Sequence, residues 1–78
     1  LEYIKKSIKV EAEIFLPNEN KIPKGIKHQF RQNGVMYGSV STKGGYFTVK
    51  DGDYVVTEPD GEKYSCDADK FKKNFEEI

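Results

Sequence analysis

This sequence has a single cysteine, a single histidine and no tryptophan. One cysteine cannot close an intramolecular disulfide, and without paired Cys/His spacing neither a zinc site nor any other metal or cofactor is expected. No apolar run reaches the ~18–20 residues of a membrane helix, and no signal-peptide-like apolar core precedes the first charges. Those two absences predict a cytoplasmic protein without membrane contact. Internal repeats and low-complexity tracts are also missing. Net charge is zero, which argues against a general nucleic-acid binder.

One further absence is local. Between Asn20 and Lys50 there is no acidic residue, while Lys21, Lys24, Lys27, Arg31, Lys43 and Lys50 are all basic. From Asp51 onward the balance reverses. Nine acidic residues (Asp51, Asp53, Glu58, Asp60, Glu62, Asp67, Asp69, Glu76, Glu77) face four lysines. Such segregation suits a face for an anionic partner, or an acidic end that packs beside the basic middle and neutralises it.

What is present is enough for one small domain. Seventy-eight residues lie near the lower limit for folding on a hydrophobic core alone, and five tyrosines and five phenylalanines can anchor one. Ile4, Ile8, Val10, Ala12, Ile14 and Leu16 alternate with polar residues, so a strand is expected from Ile4 to Leu16 with that stripe buried. Phe15 interrupts the polar face as a second-face anchor, and Pro17 ends the strand. Pro17–Gly25 reads as a loop, with Ile22 to tie it down. Ile26–Gln32 is a second strand that alternates Ile26, His28 and Phe30 against Lys27, Gln29 and Arg31, and the ring of Phe30, like that of Phe47, is expected in the core. Asn33-Gly34 is the strongest hairpin signal in the chain. Val35–Thr42 returns, and Gly38 in its middle marks a bulge or a close backbone approach.

Lys43-Gly44-Gly45 turns into Tyr46–Val49, and Lys50–Asp53 turns into the β-rich run Tyr54–Glu58. Pro59-Asp60-Gly61 is a turn, and Lys63–Cys66 a strand. From Ala68 the period changes: Ala68, Phe71, Phe75 and Ile78 form one helical stripe, Asp67 is the N-cap, and Asp69 can pair with Lys73. The sum is an α+β, mainly β domain spanning 1–78. Five or six short antiparallel strands form a curled sheet or small open barrel with one C-terminal helix.

The C-terminal run carries a resemblance. Gly52, Asp53, Tyr54, Val55, Val56 and Thr57, then Gly61, Glu62, Tyr64 and Cys66, then Asp69, Phe71, Phe75 and Glu76 resemble a family of small, mostly uncharacterised phage and prophage proteins. The match covers about the last third of the chain. Lys9-Val10-Glu11-Ala12 is similar to that family's opening strand. Lys50-Asp51, Ser65 and Ala68 stand where the family often has proline, and the middle of the chain has no counterpart there. The resemblance implies a phage or prophage origin and a cytoplasmic location in the host cell. The shared residues read as scaffold and carry over no active site.

Candidate chemistry is sparse. His28 has no orienting acid or nucleophile in a recognisable pattern, so a structural or surface role is expected. Local negative charge should raise the pKa of Cys66, the wrong direction for a nucleophile, so it is expected to be a small buried packing residue. Gly44-Gly45 leads into a strand rather than a helix N-terminus and does not suit a phosphate loop. Asp51 and Asp53 lack the further oxygen ligands of a calcium loop. What stands out is the basic middle with interleaved rings: Lys24, Lys27, His28, Arg31, Tyr37, Lys43, Tyr46 and Lys50.

Two functions follow as expectations. The first is a non-catalytic accessory protein that contacts a host or phage protein, in the manner of an inhibitor of host defence such as an anti-CRISPR protein. The second is a small nucleic-acid- or nucleotide-binding β domain that uses the basic middle. An enzyme is not expected. The sequence leaves the oligomeric state open.

Overall fold

The computed structural model describes residues 1–3 and 8–77. Six strands and one helix follow in order: β1 (Glu11–Ile14), a single 3-10 turn (Pro17–Glu19), β2 (Ile26–Gln32), β3 (Val35–Thr42), β4 (Gly45–Lys50), β5 (Tyr54–Thr57), β6 (Lys63–Cys66) and α1 (Ala68–Asn74). The strands form two antiparallel sheets of three, β1-β5-β6 and β2-β3-β4, rather than one curled sheet or an open barrel. The meander β2-β3-β4 is thus inserted between β1 and β5. At the neck of the insertion the Phe15 N–H donates to the Asp53 carbonyl at 2.8 Å, and the Gly52 N–H donates to the Phe15 carbonyl at 2.7 Å.

The core lies between the sheets. Phe15, Val40, Val49 and Val55 form one buried cluster, with Ile26 and Phe47 packed against it. Phe15 is 0% exposed. The first strand keeps its expected facing, with Glu11 and Glu13 exposed, and Phe15 is the second-face anchor read from the sequence. The stripe that includes Ala12 and Ile14 is only half-buried, and Ile8 is 55% exposed. Phe15, from the nominally polar face, fills the centre, since an aromatic ring brings a large apolar area to bury. The strand itself starts at Glu11, and Ile4 lies outside the described residues.

Val56 is fully buried beside Val55. Alternation therefore gives β5 a second apolar face, and α1 lies on that side. Phe71 stacks on Tyr54 at 3.9 Å between ring centroids, and Phe75 on Phe71 at 4.8 Å. A seven-residue helix has no stability of its own. Burying its two rings, worth roughly 1.5–3 kcal/mol each when complete, is what holds it. Asp67 caps it as expected, accepting from the Lys70 N–H at 2.9 Å. The helix stops at Asn74, so the stripe ends at an extended Phe75 and Ile78 lies outside the described residues. No Asp69–Lys73 pair forms among the described residues.

Asn33 (φ 51°) and Gly34 (φ 79°) turn the β2–β3 hairpin, the two positive values that a two-residue turn of this twist requires. Gly38 is a close-approach glycine: a Cβ there would sit 2.8 Å from Ile26 Cδ1 and 3.4 Å from Phe15 Cζ. In the Pro17–Gly25 loop the buried residue is Pro23, while Ile22 is exposed. Proline carries no N–H to leave unsatisfied, which makes it the cheaper residue to bury in irregular backbone.

Candidate binding face

The register of β2-β3-β4 decides which candidates meet. Pairing runs Phe30↔Tyr37↔Lys50, then His28↔Ser39↔Thr48, with Ser41↔Tyr46 beyond. Val40, Val49 and Phe47 point to the core, so these paired residues form the opposite, outward face. The ladder slips between Ile26 and His28. That bulge breaks the alternation, sending Ile26 inward and His28 and Phe30 outward. Phe30, expected in the core, is therefore a half-buried ring on the outside, whereas Phe47 does pack on the core.

The outer rings form a ladder. His28 and Phe30 stack at 6.0 Å with an interplanar angle of 20°, and Phe30 and Tyr37 at 5.5 Å and 13°. Tyr46 stands apart and is 72% exposed. Lys50 is exposed beside Tyr37. Ser39 and Thr48 floor the face between the rings. Since residues 26–50 contain no carboxylate, the sheet has none on either side.

The other expected residues sit around this face. Lys27 is the exposed bulge residue, and Lys43 tips the β3–β4 turn at the Tyr46 end. Lys24 lies in the turn before β2, near the same end, with its backbone N–H 3.4 Å from Glu13 Oε1. Arg31 belongs to the inward parity at the sheet's far end, and its Nη1 donates to the Gly34 carbonyl at 3.1 Å. The structure thus brings together His28, Tyr37, Tyr46 and Lys50, flanks them with Lys24, Lys27 and Lys43, and leaves Arg31 out. Phe30 is the residue the sequence reading missed. Counting back from Asn33-Gly34 pairs it with Tyr37 and marks it as the ring's cross-strand neighbour.

Mutual neutralisation of the basic and acidic segments by ion pairing is not seen. Among the described residues the one ion pair is Lys21–Glu19, 3.9 Å apart within one loop. Lys50 does act on Asp53 at a distance: burial pushes the Asp53 carboxyl above its ordinary pKa, and Lys50 partly offsets this. Cys66 is half-buried rather than buried. Its thiol pKa is pushed up by burial first and by Asp67 and Asp53 second, with Lys70 opposing.

His28 lies on the outer face of one sheet and Cys66 on the helix side of the other, so the two most reactive side-chain types lie on opposite sides of the molecule. Two shallow depressions among the described residues contain neither. One, about 440 Å³, is lined by Lys9, Val10, Glu11, Thr57, Glu58, Pro59 and Gly61. The other, about 360 Å³, is lined by Glu13, Ile14, Asn20, Lys21 and Ile22. Among the described residues no helix is long and apolar enough to cross a membrane, and no three His, Cys, Asp or Glu side chains lie close enough to hold a metal ion. Comparison with protein-family models, curated proteins and solved structures gives no significant match.

Proposed function

We propose that this chain is a non-catalytic binding domain of phage or prophage origin, and that the outer face of β2-β3-β4 is its working surface. The observation that carries the reading is the open ladder His28–Phe30–Tyr37 with Tyr46 and Lys50 beside it. Two exposed rings (His28, Tyr46) and two half-buried ones (Phe30, Tyr37), all turned away from the core of so small a domain, forgo part of the burial that a packed ring gains. Isolated apolar residues on a surface need no explanation; a contiguous aromatic group does. The C-terminal resemblance supports the origin, and the half that carries it supplies the scaffold on which the meander is mounted.

Two partner classes fit a domain that acts by occupation. A host or phage protein, as for an inhibitor of host defence, suits the compact form and the bipolar charge. Nucleic acid is favoured by a more specific observation, the pairing of exposed rings with cations on a sheet free of carboxylates. The test is retention of host-cell macromolecules on the immobilised chain. Whatever the wild type retains should be lost with Tyr46→Ala/Lys50→Glu and kept with Glu76→Lys/Glu77→Lys on the C-terminal tail. Equal retention by both variants sinks the assignment of the face.

A further inference from the structure

We infer that the occupant of this face is a single strand of nucleic acid, its bases stacked on the rings and its phosphates held by the flanking lysines. The inference rests on the outer face of β2-β3-β4 being the working surface and names what that surface takes.

Geometry gives the footprint. Same-face residues repeat every ~6.6–6.8 Å along a strand, so the step from Tyr37 to Ser41, whose partner is Tyr46, spans roughly 13 Å. That length suits two or three nucleotides, the number that exposed aromatics on an open antiparallel sheet hold elsewhere. The members of the ladder already stack on one another at 5.5 and 6.0 Å. Bases therefore land on the ring surfaces left free, above all Tyr46 and the outer side of His28. Ser39 and Thr48 supply hydroxyls between them that can donate to or accept from base edges.

Charge gives the polarity of the partner. Lys50 stands at one end of the ladder, and Lys27 and Lys43 lie toward the other. Asp51 and Asp53 follow Lys50 in the β4–β5 turn, so the phosphate track runs away from them, toward Lys27 and Lys43. A duplex would offer the same phosphates but keep its bases stacked on each other, out of reach of rings on a sheet. The face therefore discriminates single strands from duplexes.

The test is fluorescence anisotropy with a labelled twelve-residue oligothymidylate and a labelled hairpin duplex, on the full chain at low salt. The single strand is expected to bind at least about tenfold tighter than the duplex. Tyr46→Ala, at an exposed site that leaves the core intact, should weaken binding about tenfold or more. Lys50→Glu should weaken it too, while Lys70→Glu on α1 should not. Two or three phosphate contacts predict a slope of about −1.4 to −2.1 in log affinity against log salt. No binding of the single strand, equal binding of the duplex, or a Tyr46→Ala variant that binds like the wild type overturns the inference. If the oligonucleotide fails to bind while Tyr46→Ala/Lys50→Glu still loses a retained protein, the face stands with a protein occupant and only this inference falls. If retention is indifferent to the face, both fall.

Discussion

Gly38 of β3 faces the core with no room for a side chain. A methyl group there would stand 2.8 Å from Ile26 Cδ1 and press on the ring of Phe15, and both neighbours belong to the packed core. Gly38→Ala should therefore destabilise the fold by about 1–3 kcal/mol, the usual range for overpacking, read as a shift of the urea midpoint without a change in slope. At Asp53 the effect is electrostatic. Its folded-state pKa is raised, chiefly by burial, so the folded chain holds the proton more tightly than the unfolded one. The resulting stability is fully present below the ordinary aspartate pKa of about 3.9 and is lost as pH rises through the elevated folded value. Asp53→Asn cannot pay that loss. Its melting temperature relative to wild type should climb as pH rises above about 3.9 and then level off; a difference that stays flat as pH rises would contradict the assignment.

At the scale of elements, α1 depends on its cap and its rings. Asp67→Ala removes the acceptor for the Lys70 N–H and should cost about 1 kcal/mol, with Asp67→Ser restoring most of it. Urea unfolding of the three proteins is the check, and equal stability of all three would refute the cap's role.

The hairpin β2–β3 was legible from Asn33-Gly34, the helix start from Asp67, and the bounds of β2, β3 and β6 from alternation between turns. These are local signals, and local backbone chemistry decides them. What alternation could not supply was the facing of β2, which one irregularity overrode. The irregularity between Ile26 and His28 reverses the parity of β2 with no glycine or proline to announce it. Phe15 was legible as a second-face anchor, since it interrupts a polar stripe; what the sequence did not show is that two backbone bonds to the β4–β5 turn hold it. Four of the eight candidate residues thus converge on one face, three flank it, and Arg31 turns back to its own hairpin. The same slip that placed Phe30 outside built the ladder, so the grouping of the candidate residues was half-legible from composition, and register decides the rest.

The whole molecule divides into a holder and a presented surface. Sheet β1-β5-β6 with α1 contains most of the run Gly52–Glu76, whose residues are accounted for by turns, a cap and stacking. Sheet β2-β3-β4 enters and leaves through the neck at Phe15, Gly52 and Asp53, donates its inner face to the core, and leaves its outer rings half-buried (Phe30, Tyr37) or exposed (His28, Tyr46). Charge follows the division through the carboxylates: the meander carries Lys27, Arg31, Lys43 and Lys50 with no acidic residue, while the holder carries most carboxylates together with lysines of its own. Backbone amide shifts, followed by NMR while oligothymidylate is added to the wild-type chain, test this most directly. The account predicts perturbations confined to His28, Phe30, Tyr37, Ser39, Tyr46, Thr48 and Lys50 and their neighbours, with β6 and α1 silent; shifts centred on β6 and α1, or none at all, would contradict it.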